Sequence, residues 1–484
     1  MVSRLRILLA GFFVACPAIA ATCEDLTALS MPGVTITSSV ASRAPSEFCR
    51  VKAVARPGAD SEIQIEVWLP SAASWNGKLL GTGNGGYSGA LSIPAMQAAL
   101  NEGYAVAGSD TGHPGDDLRF GQGHPEKIAD WAWRAVHVMT DVAKLTARNY
   151  YGKFPGKAYF SGCSTGGQQA LSEAQRFPAD YDGIVAGDPG NDRIHLNIGF
   201  LWSWLATHEN GAEILPAAKL PMITRAVIAR CDAMDGVKDG LIDDPRRCHF
   251  DPATLLCKSV DGPECLTARQ AAAVRKVYDG AINPRTHERI FPGWVPGTEA
   301  GWRGYFVGHA EPARVDFWRL WLFGDLKWAP ATFDFDRDVQ WADEELAETS
   351  ALNADLRPFR ANQGKLILYQ GWADPVVPPE DTIQYFDAVQ RAVGGRSSDF
   401  ARLFMVPGMG HCQGGPGPSV FDPLAALDAW VTKDAAPDRI VAAHRVAGKI
   451  DRTRPLCPYP QVARRQGNGD IDDAASFACV APPR

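Results

Sequence analysis

At 484 residues, 46% of them hydrophobic and 21% charged, the chain has a core-forming composition and the length of one large domain or two smaller ones. Its formal net charge of −7 and the absence of any Lys/Arg run exclude the basic stripe that a nucleic-acid partner would require.

The N-terminus reads MVSRLRILLAGFFVACPAIAATCED. Arg4 and Arg6 lead an apolar run that Pro17 and the small Ala18-Ile19-Ala20 end too early for a membrane span. This predicts a secretory signal peptide over 1–20 and a secreted or periplasmic protein that leaves the membrane after cleavage. Cleavage removes Cys16 and leaves ten cysteines, an even number that points to disulfides in an exported chain. No C-x-x-C occurs, which argues against a zinc or redox motif. Ten cysteines allow many connectivities. Proximity favours Cys23–Cys49, Cys231–Cys248, Cys257–Cys265 and Cys457–Cys479, which leaves Cys163 and Cys412, far apart in sequence, as the remaining pair.

Short β-branched or aromatic runs bounded by Gly, Asp or Pro follow in order at 62–70, 77–86, 104–110, 157–162, 181–189, 364–374 and 401–411, and read as strands. Helical patterns lie between several of them: IPAMQAALNEG, the stretch from Ile128 to Tyr150, QQALSEAQRF and DTIQYFDAVQRAV. Such alternation predicts an α/β fold, a mostly parallel sheet with helices on both faces. The alternation stops after Pro189 and resumes near Lys365. The segment 190–350 holds eight of the fourteen tryptophans and reads as an inserted lid domain carrying an acidic loop. The catalytic domain is then 21–189 with 351–484, and the tail beyond about 440 reads as irregular. Most of the insert's tryptophans are expected to form its own core, with one or two facing a ligand.

The stretch FSGCSTGGQQA carries the chemistry. Gly162-Cys163-Ser164-Thr165-Gly166 fits G-x-S-x-G between a strand and a helix, the setting of a nucleophile elbow. A serine needs a base, and the base needs an orienting acid. Asp374 follows the strand LILYQGWAD, and His411 sits in the glycine-rich loop after RLFMVPGMG, giving the order Ser164, Asp374, His411. Taken singly, Asp374 reads as a turn residue and His411 as an exposed loop residue; the order and the elements favour catalysis. If serine and histidine meet, their neighbours Cys163 and Cys412 come within bridging range, and these are the two cysteines left unpaired above. Backbone N–H groups of Thr165 and of Gly86, in the loop GTGNGGY, are the expected oxyanion donors, although the loop also reads as a plain glycine turn.

The insert contains CDAMDGVKDGLIDDPRRC. It fails the EF-hand pattern, with Val237 and Arg246 at ligand positions, but side chains of Asp232, Asp235 and Asp239 with carbonyls of Val237 and Leu241 would suit a structural calcium ion in the lid. The alternative is a solvated acidic turn.

GCSTGG around Ser164, GWADPVVPP around Asp374, GMGHCQGG around His411 and the acidic loop together resemble the tannase/feruloyl esterase family of α/β-hydrolases over nearly the whole mature chain. The resemblance implies a secreted serine carboxylic ester hydrolase. It implies a bridge between the neighbours of Ser and His, and a lid calcium on Asp232, Asp235, Val237, Asp239 and Leu241. The substrate implied is a small aromatic ester of plant cell-wall or tannin origin, such as a feruloyl or galloyl ester. The family also includes hydrolases of the mono-ester released from PET plastic; this chain shares their five-disulfide count but has Val377 where they carry an aromatic residue. An acyltransferase and a non-catalytic phenolic-ester binding protein are the competing readings.

Overall fold

Runs bounded by Gly, Asp and Pro become the strands of one sheet in the computed structural model, which describes residues 21–43 and 47–482. The signal peptide expected over 1–20 lies outside the described residues. The nine strands are β1 (Val34–Ser42), β2 (Phe48–Ala55), β3 (Ile63–Pro70), β4 (Lys78–Thr82), β5 (Ala105–Ser109), β6 (Lys157–Cys163), β7 (Gly183–Gly187), β8 (Lys365–Gly371) and β9 (Ala401–Val406). Their spatial order is β1-β2-β3-β5-β4-β6-β7-β8-β9. The first three strands and β5 pair antiparallel, and every pairing from β5 through β9 is parallel. Central strands β5 and β7 are buried at every residue, as a sheet covered on both faces requires.

The main helices are α1 (Ile93–Asn101), α2 (Ala135–Tyr151), α3 (Thr165–Arg176), α4 (Arg193–Thr207), α5 (Pro379–Ala392) and α6 (Pro423–Lys433). One sheet face packs on α2, α3 and α5 through Met139, Leu171 and Phe386; the other packs on α1 and α6 through Met96 and Trp430. This is the doubly covered α/β-hydrolase sheet.

Two parts differ from the sequence reading. The hairpin β1–β2 was absent from it, because Ser- and Thr-rich VTITSSVAS lacks an apolar run; the Cys23–Cys49 bridge ties it down. The tail, read as irregular, forms the hairpin Ile440–Val446 with Lys449–Leu456. Its turn, Ala447-Gly448, has two positive φ values of 49° and 81°, the backbone that a tight hairpin turn needs. Val462–Arg465 then pairs with Phe477–Val480, closed by Cys457–Cys479.

Between β7 and β8 the chain leaves the sheet. This segment builds its own core around Phe200, Trp294, Trp302, Phe317 and Trp318, and the same core takes in Tyr87, Val376 and Val377 from loops at the strand ends and Trp131 from the helical turn that leads into α2. The insert is therefore seated over the end of the sheet where β6 and β8 deliver Ser164 and Asp374. All five expected disulfides are present, including Cys163–Cys412 across 249 residues.

Candidate active site

The turn from β6 into α3 fixes the serine. Ser164 has φ 64° and ψ −119°, a backbone that side-chain-bearing residues rarely adopt. The glycines around it answer to close approach. A Cβ on Gly162 would lie 2.5 Å from Gly166 O, and one on Gly167 would lie 2.4 Å from Gly187 O. Ser164 N donates to Gly187 O at 2.9 Å, so the elbow is also pinned to the neighbouring strand.

Asp374 is fully buried after β8. Its Oδ1 accepts from Val376 N (2.7 Å) and Val377 N (3.1 Å), and its Oδ2 accepts from Gln370 Nε2 (3.1 Å). His411 Nδ1 lies 2.8 Å from the same Oδ2. That contact turns the other ring nitrogen, Nε2, away from the acid. Ser164 and His411 line one open cavity of about 620 Å³, together with Gly86, Tyr305, Arg314 and Val376. Among the described residues no hydrogen bond joins the serine hydroxyl to the imidazole. Cys163 and Cys412, with Cα atoms 5.9 Å apart, tie the serine's neighbour to the histidine's.

Thr165 opens α3, where first-turn N–H groups have no intrahelical acceptor. Its Oγ1 donates to Gly86 O at 2.8 Å, which joins the two expected oxyanion loops directly. Arg193, on α4 of the insert, is buried beneath them. It donates to Thr165 Oγ1 (2.8 Å) and to Gln168 Oε1 (2.7 Å), and burial lowers its guanidinium to about 10. Insert and elbow are thus joined by one buried cation.

Sequence reasoning missed Arg314, Tyr305 and Asp188. Arg314 stacks over Tyr87 and Phe200, with its carbon 5.7 and 5.0 Å from the ring centres, and its buried Nη1 has no partner. Among the described residues no tryptophan lines the cavity; Trp204, Trp294, Trp302, Trp318 and Trp328 are buried in the insert's core, so Tyr305 is the aromatic side chain that the insert presents. Nothing local marked Arg314 or Tyr305. Asp188 carries much the same signal as Asp374, an acid just past the end of a strand.

The acidic loop lies apart from the serine. Asp232 Oδ1 accepts from Asp239 N and Gly240 N, both at 3.0 Å; Asp235 Oδ1 accepts from Val237 N at 2.8 Å, and Asp239 Oδ1 from Leu241 N at 3.1 Å. Arg454 pairs with the other oxygen of Asp239. Among the described residues, the tight groupings of His, Cys and carboxylate side chains lie elsewhere, around Asp188, Glu173 and Cys257. The hard-oxygen donors fit a calcium ion in kind. Burial, with the charges of Asp235 and Asp239, pushes the adjacent Asp243 up to about 7, a repulsion that a cation would relieve.

The family model described as tannase and feruloyl esterase matches residues 49–480. The chain is 40% identical to an uncharacterized esterase of Xanthomonas campestris, over 96% of this chain and 92% of that one. It is 33% identical to the mono(2-hydroxyethyl) terephthalate hydrolase of Piscinibacter sakaiensis, over 90% and 85%. The crystal structure of feruloyl esterase B from Aspergillus oryzae superposes with a TM-score of 0.88 at 29% identity, covering 95% of this chain and 99% of that one. The chain belongs to the tannase and feruloyl esterase family and is a carboxylic ester hydrolase.

Proposed function

We propose that the protein is a secreted serine esterase that cleaves esters of aromatic acids, with Ser164 as nucleophile, His411 as base and Asp374 as the acid that orients it. The observation that carries the reading is the 2.8 Å contact of His411 Nδ1 with buried Asp374, on the wall of the cavity that also holds Ser164. His411 Nε2 takes the serine proton as Oγ attacks the ester carbonyl. Thr165 and Gly86 N–H groups receive the oxyanion. The imidazolium then protonates the departing alcohol, and the same nitrogen activates water to release the acid. Five disulfides suit an oxidising compartment, and no helix among the described residues is long and apolar enough to cross a membrane.

The aromatic preference is supported by Tyr305 beside the serine and by the names of the relatives. Unpartnered Arg314 favours acyl groups whose far end carries a carboxylate or a phenolic oxygen, because a buried guanidinium N–H without an acceptor costs free energy until one arrives. The test is hydrolysis of methyl ferulate, methyl gallate and mono(2-hydroxyethyl) terephthalate, with Ser164→Ala as control. Failure on all three removes the substrate class. Transfer of the acyl group to an added alcohol in preference to water would make the protein an acyltransferase, and binding without turnover would make it a carrier.

We also propose a structural calcium held by Asp232, Asp235 and Asp239 with the carbonyls of Val237 and Leu241. Chelation should lower the Tm and re-addition of calcium restore it, while activity per folded molecule stays unchanged. A Tm indifferent to chelator sinks the site.

A further inference from the structure

Behind His411 lie two buried carboxyl groups, not one. Asp188 follows β7 directly, Asp374 lies in the turn three residues past the end of β8, and the two strands run parallel in register with Gly187 opposite Tyr369. Their ends therefore deliver two acids to one place. Both are fully buried, and the Asp188, Asp374 and His411 side chains each place a polar atom within 4.8 Å of the other two. No Lys or Arg pairs with either acid among the described residues; the ion-pair contact of Asp374 is His411 itself.

Two carboxylates this close, buried and facing one imidazole, cannot both be ionised; one keeps a proton. The donors decide which. Asp374 receives four: Val376 N, Val377 N, Gln370 Nε2 and His411 Nδ1. Asp188 receives two: Gly371 N on Oδ1 at 2.8 Å and Cys412 N on Oδ2 at 3.2 Å. The group with more donors holds the charge. We infer that Asp188 is a positioning residue of the esterase site: held as the neutral acid, it donates a hydrogen bond to Asp374 and so sets how strongly Asp374 holds His411.

This rests on the assignment of Ser164, His411 and Asp374 made above. Burial, and then the charge of Asp374, push the Asp188 carboxyl well up, in agreement with the donor count. The other titratable group facing Asp188 is the Tyr369 phenol, which burial keeps protonated. Cys163 Sγ, 3.5 Å from Oδ2, is bridged to Cys412 and carries no proton. Asp188 also touches three chain segments at once: Gly371 at the head of the acid's turn, Cys412 beside the base, and the bridge beside the nucleophile. Its own φ is +36°, a backbone uncommon for a residue with a side chain.

The test is the pH profile of kcat/KM for methyl ferulate, or for p-nitrophenyl acetate should ferulate not be cleaved, with bridged wild type, Asp188→Asn and Asp188→Ala. Asparagine keeps a neutral group with an N–H donor toward Asp374 and gives up one weak acceptor, that of Cys412 N at 3.2 Å, so its rate should stay within about threefold of wild type and its acid limb should not move. Alanine removes the donor, leaves Asp374 a stronger partner for the imidazolium, moves the acid limb to higher pH by about half a unit, and costs about 10- to 100-fold in rate. An Asp188→Asn limb displaced to lower pH would show that Asp188 is a carboxylate and overturn the inference. So would an Asp188→Ala enzyme with unchanged rate and limb, or the failure of both variants to fold, which would make Asp188 a prop of the fold and not a positioning residue of the site. Should Asp188→Ala alone fail to fold, the asparagine limb decides. Asp374→Asn in the same assay should lose about 10⁴-fold; if it does not, the assignment of the orienting acid falls, whatever Asp188 does.

Discussion

Two regions meet across the cavity. On the sheet side, Ser164, Asp374 and His411 sit on strand ends whose partners are backbone N–H groups and a disulfide, so their positions depend on local geometry. On the insert side, Tyr305 and Arg314 come from irregular chain between short turns, and their positions depend on packing among Phe200, Trp294 and Trp302. The difference teaches where chemistry and selectivity are kept. The reacting groups need a fixed frame, and a strained elbow tied to β7 supplies it. A group proposed to meet the acyl end can sit on a surface that could be rebuilt without disturbing that frame.

The largest effect should come from the sheet side. Ser164→Ala should lower kcat by about 10⁶ with little change in Tm, because the hydroxyl forms no hydrogen bond that holds the fold together. Equal losses for every ester would confirm that this side carries chemistry without selectivity. A residual rate near wild type would move the nucleophile elsewhere.

Next comes the bridge. Cys163→Ala with Cys412→Ala should cut kcat by about 100-fold, since a shift of about 1 Å between nucleophile and base suffices. The same variant loses a cross-link spanning 249 residues, worth up to ~5 kcal/mol of unfolded-state entropy, so Tm falls as well. Turnover measured well below Tm separates the two losses. Unchanged turnover would show that the strand ends hold serine and histidine unaided.

The two sides also differ in what the sequence reveals. An elbow must have glycines where backbones touch, so Gly162, Gly166 and Gly167 announce themselves beside Ser164. An acid after one strand and a histidine after the next follow from the order that the fold imposes, and Cys163 and Cys412 are the two cysteines that such an arrangement brings together. Arg314 and Tyr305 obey no period and no spacing; only long-range packing brings them to the serine. Most of the insert's tryptophans fill its core, as expected, and the one or two expected at a ligand are not among the residues that line the cavity, for a physical reason: large apolar rings fill a core before they line an open cavity. Asp188 is legible in YDGIVAGDP as an acid after a strand, but only the parallel register of β7 with β8 and the approach of Asp188, Asp374 and His411 to within 4.8 Å of one another gather the two acids at one histidine.

On the insert side, Arg314→Leu should leave methyl benzoate turnover within about twofold while lowering kcat/KM for mono(2-hydroxyethyl) terephthalate about 10-fold, the worth of one partly desolvated charged hydrogen bond. Equal losses for both substrates would mean that Arg314 serves the cavity's shape through its contacts with Tyr87 and Phe200, and not acyl selectivity.

The smallest effect concerns how the insert is anchored, and it reads out in stability. His195, on the first turn of α4, lies 2.8 Å from Asp192 and 3.2 Å from Asp343, which belongs to the helix Arg337–Glu345 at the far end of the insert. Burial opposes protonation, but the two aspartates prevail and raise the imidazole to about 10. A folded value above the unfolded 6.5 means that the stabilisation is complete below pH about 6.5 and is lost as pH rises through about 10. Half-exposed Asp343 weakens its share through solvent and salt. His195→Gln should therefore lower Tm by roughly 2–4 °C at pH 6, less at high salt, and not at all near pH 10, with kcat unchanged. A Tm difference that persists at pH 10 would assign His195 to packing and would leave the insert anchored by Arg193 and the shared core.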